Sequence, residues 1–194
     1  MPRKNMFTRE EIVRAALELT RERGASAVTA RALGEKLGAS SKPVFSVFRN
    51  MEEVQDAVLR AANELYEAYI AHDMAEGRYP PYKASGMAYI RFAREERELF
   101  RLLFMRDRSH EKKGEMQADA LIAIIREKTG ASEAQARDFH LEMWLFVHGI
   151  AAMTATAYLD FSEEKASAML SDIYLSRMEQ LMKQKEGTAG ENNA

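Results

Sequence analysis

Apolar residues recur at helical spacing along almost the whole chain. Ile12, Ala15, Ala16 and Leu19 stand at offsets of 0, 3, 4 and 7, which is the spacing of one apolar helix face. Comparable patterns follow through most of the 194 residues, and no stretch alternates as a convincing strand. The pattern predicts an all-α fold of about nine helices.

Capping residues and helix breakers bound the predicted helices. The T-R-E-E stretch at 8–11 is a capping box, and Gly24 ends the first helix in a left-handed conformation. Thr29 caps the second helix and Gly38 stops it. Polar or Pro/Gly-containing breaks are expected at 73–82 and 107–114. The later helices are expected at about 51–72 (capped by Asn50), 82–94, 96–105, 116–128, 133–159 (capped by Ser132) and 163–184 (capped by Ser162).

The stretch G-A-S-S-K-P-V-F-S-V-F at 38–48 has the local composition of a strand. A single strand in a helical chain would leave its backbone groups without partners, so we interpret the stretch as a short helix. Ser40 is the expected N-cap, and Pro43 falls in the first turn, where its missing amide costs nothing. One face then carries Val44, Val47 and Phe48, and the other carries Ser41, Lys42, Phe45, Ser46 and Arg49.

Two helices separated by a tight turn, the second short and basic on its outer face, indicate a helix-turn-helix. The second helix would enter the major groove of double-stranded DNA, with Lys42 and Arg49 reaching phosphates or base edges. Thr29 would contact a phosphate together with the helix dipole. Such a pair also occurs as plain packing in small helical domains. The candidate DNA-binding residues are Thr29, Arg31, Ser40, Ser41, Lys42, Pro43, Phe45, Ser46 and Arg49.

Charge and composition narrow the possible functions. Residues 1–60 carry a net charge of +3 and the remainder −5, which favours an anionic partner at the N-terminal end. The chain has no cysteine and no apolar run approaching the roughly 20 residues that span a bilayer, so we expect a cytoplasmic protein without a membrane partner. Its four histidines lack chelating spacing, and no catalytic or phosphate-binding motif is present. We therefore expect no enzyme activity, metal or cofactor.

Residues 8–60 resemble the DNA-binding domain of TetR-type transcriptional regulators. The resemblance rests on I-V-R-A-A-L-E-L with R-E-R-G, then V-T-A-R-A-L-G-E-K-L-G-A-S, then V-F-S-V-F-R-N-M-E-E-V. At Lys42, Phe45 and Met51 the family usually has Gly, Tyr and Lys, of which Tyr and Lys commonly hold DNA phosphates. These differences keep open an alternative, a helical protein-interaction module whose helix-turn-helix does not bind DNA.

The C-terminal part resembles one class of TetR C-terminal domains. W-L-F-V-H-G at 144–149 is similar to its Trp-x-x-x-His-Gly signature, and residues 89–104 are similar to the accompanying helix pair. The resemblance implies a pocket for an unknown small-molecule effector. Rows of methionine and aromatic residues at helical spacing, however, also occur in ordinary hydrophobic cores. The candidate ligand-binding residues are Met87, Phe92, Leu99, Leu103, Met143, Trp144, Phe146 and His148.

The resemblance also implies a homodimer built from the last two helices. Each of these helices carries an apolar face that fits a dimer or the core of the monomer. The candidate interface residues are Ile150, Met153, Thr154, Ala157, Tyr158, Leu170, Ile173, Tyr174, Arg177 and Leu181.

We therefore expect a ligand-responsive regulator, in the first instance a repressor, that binds a palindromic operator. Residues 1–50 would form the DNA-binding domain, and residues 51–186 would sense the ligand and dimerise. Within the latter, 51–72 would be the connecting helix. Residues 187–194 would be a disordered tail.

Overall fold

The chain folds into helices throughout the described part, as seen in a computed structural model that describes residues 7–109 and 118–191, with side chains up to residue 183. Over these residues there are nine α-helices, one short 3₁₀ turn at Ala25–Ala27 and no strand, which confirms the all-α prediction. The helices are α1 Arg9–Arg23, α2 Ala30–Lys36, α3 Lys42–Val47, α4 Met51–Glu76, α5 Pro81–Glu95, α6 Arg97–Phe104, α7 Asp119–Thr129, α8 Glu133–Ala155 and α9 Glu163–Glu191.

The predicted helix caps at the N-termini of α1, α4 and α8 are formed. In α1, Thr8 Oγ1 accepts from the Glu11 amide at 3.2 Å, and a Glu11 carboxylate oxygen accepts from the Thr8 amide at 2.7 Å. Ser132 forms the same reciprocal arrangement at the start of α8. At the start of α4, Asn50 Oδ1 accepts from the Glu53 amide at 2.9 Å. These bonds satisfy amides that a helix leaves unpaired in its first turn.

Several helix ends differ from the prediction. α8 ends at Ala155 rather than near Leu159, because the Thr156 hydroxyl bonds to the Ala152 carbonyl at 2.8 Å and Ala157 takes a positive φ of 56°. α4 continues past His72 to Glu76 and stops before Gly77, whose φ is 69°. Gly24 has φ 81° and ψ 165°, which suits glycine but is not the left-handed helical conformation expected there.

The C-terminal helix extends further than expected. The backbone of α9 continues to Glu191, beyond the predicted end near residue 184, and disorder of 187–194 stays a prediction. The final three residues, part of the expected loop at 107–114 and the expected start of the 116–128 helix lie outside the described residues.

The chain divides into two compact units by packing. The first comprises the residues up to Tyr69 together with Phe92–Arg108, and the second comprises Ile70–Arg91 and the residues from Ser109 onwards. α4 and α5 are continuous helices that each contribute residues to both units. The functional domain bounds 1–50 and 51–186 remain a prediction, since packing units and functional domains need not coincide.

The first unit buries a core beneath α1 to α4, which fixes the orientation of the short helices. Its buried members are Ile12, Ala15, Ala16, Leu19, Val28, Leu33, Val44, Phe48, Val54, Ala57 and Val58. Ion pairs join its helices at the surface. Arg21 of α1 binds Glu96 beside α6 through two bonds of 2.7 Å, and Lys36 of α2 binds Glu22 of α1 at 2.8 Å. These bonds tie α1 to the start of α6 and to α2.

The second unit has its own core and carries polar pairs inside it. Its buried cluster is Ala118, Ile122, Ile125, Ala131, Ala136, Phe139, Met143 and Leu181. Tyr82 Oη lies 2.9 Å from Nδ1 of His140, and Tyr89 Oη lies 2.9 Å from Nδ1 of His148. These pairs join α5 to α8 and give hydrogen-bond partners to polar groups that burial would otherwise penalise.

Candidate nucleic-acid interface

The turn between α2 and α3 is closed by backbone bonds. The Ala39 amide donates to the Gly34 carbonyl at 2.8 Å, and the Gly38 amide donates to the Glu35 carbonyl at 3.1 Å. Gly38 has a φ of 66°, which a residue with a side chain rarely adopts. The predicted tight turn at this glycine is present.

Gly34 is a structural requirement of the turn that the sequence interpretation missed. A Cβ added there would lie 2.8 Å from the Ser40 carbonyl carbon and 2.9 Å from the Ala39 carbonyl oxygen. Both are backbone atoms, so no side-chain rotation relieves the contact. The absence of a side chain at position 34 therefore lets α3 start close against α2.

α3 begins one residue later than expected. Ser40 is not its N-cap; Ser41 is, and the Ser41 side chain makes no capping hydrogen bond. Ser41 already has helical angles, and its carbonyl accepts from the Val44 amide at 3.2 Å, which tightens the first turn. Pro43 lies in that turn as predicted.

α3 is amphipathic, with a buried side that fastens it and an exposed side that faces away from the core. Val44 is 0% exposed and Phe48, directly after the helix, is 1% exposed, whereas Phe45 is 49% exposed. We call Lys42, Phe45 and Ser46, together with Arg49 just beyond the helix end, the outer face of α3. All four are exposed. Of the other predicted DNA-binding residues, Thr29, Arg31 and Ser40 are exposed, and Ser41 and Pro43 are half-buried.

Some cationic side chains on this surface form ion pairs with carboxylates of the same chain, and others do not. Arg31 pairs with Glu35 at 2.9 Å, and Arg49 pairs with Glu53 at 3.4 Å. Lys42 makes no ion pair or hydrogen bond with any residue that the structure describes. Its ammonium is therefore available to an outside anion without displacing an internal partner.

Glu53 ties the end of α3 to the start of α1. Its carboxylate accepts from the Arg49 amide at 2.9 Å and from Arg9 at 3.0 Å, and the Arg9 guanidinium lies 4.2 Å from the centre of the Phe48 ring. These bonds, led by the Arg49 amide and then Arg9, lower the pKa of Glu53 and favour its charged form. Sequence reasoning missed this cluster, since nothing local links residues 44 positions apart.

Met51 and Ser46 are less available to DNA than their positions suggest. Met51 packs against the core of the first unit, so its side chain is part of the structure. The Ser46 hydroxyl donates to the Pro43 carbonyl at 2.7 Å and keeps only its acceptor capacity for a ligand.

The predicted ligand-binding residues fall in both packing units. Phe92, Leu99 and Leu103 are buried in the first unit, and Met87 and Met143 are buried in the second. The second unit also holds the half-buried Trp144, Phe146 and His148.

Trp144 packs on another ring of α8, and Phe146 lines a cleft. Trp144 stacks on His148 with ring centres 5.0 Å apart. Phe146 lines an open cleft of about 350 Å³ together with Met169, Asp172, Ile173 and Ser176. Burial lowers the pKa of His148, so the imidazole that Trp144 covers favours its neutral form.

The predicted interface residues on α8 and α9 also divide by exposure. Ile150, Thr154, Leu170 and Leu181 are buried against their own chain, while Met153, Ala157 and Tyr158 are exposed. Ala157 and Tyr158 lie beyond the end of α8, so they do not share its face as predicted. Ile173, Tyr174 and Arg177 are half-buried, and Arg177 pairs with Glu142 of α8.

α8 and α9 expose further large apolar side chains that the prediction omitted. We call Leu141, Leu145, Leu175 and Met182 the C-terminal apolar row; they are 45%, 55%, 64% and 44% exposed. Leu141 and Leu145 stand four residues apart and share one side of α8. That spacing was the signal available in the sequence.

One group of side chains on α4 has donor atoms close enough to share a metal ion. Oxygen or nitrogen atoms of His72, Asp73 and Glu76 lie within 4.8 Å of one another. The Asp73 carboxylate, however, already binds the Arg91 guanidinium at 2.5 Å. Asp73 is therefore already held by a cation of the same chain.

Two family profiles match the chain, one at each end. Residues 12–58 match "Bacterial regulatory proteins, tetR family", and residues 82–173 match "Tetracyclin repressor-like, C-terminal domain". The chain belongs to the TetR family. A search of curated proteins found no match. Membership identifies α2 and α3 as the helix-turn-helix of a DNA-binding regulator type and indicates a regulatory rather than a catalytic protein.

A membrane-spanning role has no support from the helices. Within the described ranges, none of them combines the length and the apolar content that crossing a bilayer requires.

Proposed function

We propose that this TetR-family chain is a repressor that binds a palindromic DNA operator as a homodimer and releases it when a small-molecule effector binds. The observation that carries the proposal is the outer face of α3. Lys42 there has no partner among the described residues, while Val44 and Phe48 fasten the opposite side to the core. A fixed helix with an available cation suits entry into the major groove. Action on DNA also favours the cytoplasm as its location.

The homodimer is supported by the C-terminal apolar row. Four exposed large apolar side chains on two neighbouring helices are costly in water and suit burial against a second copy. Two-fold symmetry would present two copies of α3 to the two halves of a palindrome. The interface would include the exposed Met153 and Tyr158 of the predicted set.

The effector response is supported by aromatic and polar side chains in the second unit. Trp144, Phe146 and His148 are half-buried, and the Trp144–His148 stack suits the Trp-x-x-x-His-Gly class of C-terminal domains. α4 contributes to both packing units as one continuous helix. We propose that effector binding shifts α4, changes the separation of the two α3 helices and lowers operator affinity. Equal operator affinity with and without a confirmed effector would rule this out.

In the first step, the full chain selects the DNA duplexes that it binds from a random library. In the second step, its affinity for the selected site is measured over a series of salt concentrations. We expect a palindromic site whose affinity falls steeply with salt, because bound phosphates release counterions. Lys42→Ala should weaken binding by about 1–3 kcal/mol where its ammonium reads a base. A pure phosphate contact should cost less and reduce the salt slope by about 1.

Lys165→Ala is the matched control. It removes one exposed cation at the start of α9, far along the chain from α3. Both variants change net charge equally, so a loss confined to Lys42→Ala assigns the effect to α3. Weak binding that is uniform over sequence and insensitive to Lys42 would instead favour the helical protein-interaction module.

A further inference from the structure

The outer face of α3 carries an apolar ring among its polar groups. Phe45 is 49% exposed, and among the described residues from 7 to 104 it is the one large apolar side chain with such exposure. It does not belong to the core that holds Val44 and Phe48. No other aromatic ring or cation of the described residues packs on it. The fold therefore gains little from a phenyl group at this position.

Its neighbours indicate what kind of surface the ring meets. Phe45 lies three residues after Lys42, so these two residues share one side of α3, and Arg49 follows just beyond the end of the helix. Lys42 is exposed and Arg49 is 90% exposed at its side chain. An apolar ring beside an exposed cation on the same side of the helix suits a ligand that carries anionic and apolar groups close together. In duplex DNA, the 5-methyl group of thymine is the apolar feature of the major groove, with phosphates on either side.

We infer that Phe45 is a specificity-determining residue that recognises the 5-methyl group of one thymine in each half of the operator. This rests on the proposed function. The phenyl ring has no hydrogen-bonding atom, so it discriminates by covering the methyl group and excluding water from it. A contact of the ring with deoxyribose would also bury apolar area, but it would not depend on the base.

The test uses the operator enriched by the full chain. Each thymine is replaced in turn by deoxyuridine, which keeps base pairing and removes only the methyl group. At one symmetric position we expect an affinity loss of about fourfold for one half-site and about 15-fold for both, from roughly 0.8 kcal/mol per buried methyl. Phe45→Ala should bind both duplexes equally, and Phe45→Leu should keep part of the preference.

The controls separate a loss of contact from a loss of fold. Because Phe45 is half-exposed and outside the core, Phe45→Ala should keep the circular dichroism and thermal midpoint of the parent chain. Two results overturn the inference: no thymine-dependent position, or a preference that persists in Phe45→Ala because the variant loses affinity equally on both duplexes. Absence of salt-dependent duplex binding overturns the proposed function as well, whereas steep salt dependence without a methyl effect overturns only the role of Phe45.

Discussion

At the scale of single residues, His140 shows how burial sets a protonation state. It is 6% exposed, and Nδ1 faces the Tyr82 hydroxyl at 2.9 Å. Burial raises the pKa of Tyr82, so the phenol keeps its proton. Burial also lowers the pKa of His140, so its imidazole favours the neutral form. This neutral pair lies inside the second unit, between α5 and α8.

The pair predicts a pH dependence of stability. Below about 6.5, the ordinary pKa of imidazole, the unfolded chain binds a proton at His140 that the folded chain does not. The free energy of unfolding should therefore fall as pH decreases from about 6.5 towards the lower folded pKa, and be fully retained above this window. Thermal midpoints from pH 5 to 8 should show this slope, and His140→Gln should reduce it, leaving the contribution of His148, whose pKa burial also lowers.

His72→Gln is the control for that experiment. It replaces a histidine whose side chain is 68% exposed and that also lies in the second unit. The slope should persist in this variant. An unchanged slope in His140→Gln, or an equal flattening in both variants, would contradict the assignment to His140.

At the scale of elements, the joint between α2 and α3 depends on Gly34. Gly34→Ala would push a Cβ against the backbone of Ala39 and Ser40, at 2.9 and 2.8 Å. Overpacking of this kind costs about 1–3 kcal/mol, and the required shift would displace α3. We expect a lower midpoint in denaturant unfolding and weaker operator binding.

Gly149→Ala supplies the matched substitution inside α8. A Cβ there would meet nothing within 4 Å, and alanine favours a helix over glycine by about 0.5–1 kcal/mol. Its unfolding midpoint should stay the same or rise. Equal behaviour of the two alanine variants would show that position 34 tolerates a side chain.

The same elements show what a sequence can predict. Caps such as Thr8–Glu11 depend on residues three apart, and the exposure of Lys42, Phe45 and Ser46 follows from helical spacing, so these were predicted correctly, whereas Ser41 is half-buried. The Arg9–Glu53 bond joins residues 44 apart and the Tyr82–His140 pair residues 58 apart. Their partners are fixed only when helices pack. The end of α8 was missed because Thr156 competes locally for the last carbonyls.

At the scale of the whole molecule, the C-terminal apolar row bears on assembly. Leu145 is 55% exposed on α8, so a charge there should cost the folded monomer little. Within a dimer interface the same charge would be buried without a partner, which is strongly unfavourable. Leu145→Glu should therefore sediment as a monomer at concentrations where the parent chain sediments as a dimer.

The same substitution should also weaken DNA binding without touching α3. A monomer binds a palindrome through one half-site and loses the gain from a linked second contact, which is about 100-fold or more. Met105→Glu places the same charge on another exposed apolar residue, 44% exposed in the first unit, and should remain dimeric with parental affinity. If Leu145→Glu sediments at the parental mass, the row is not the interface. If it is monomeric yet binds as tightly as the parent, operator recognition does not require the dimer, and the apolar row then serves assembly alone.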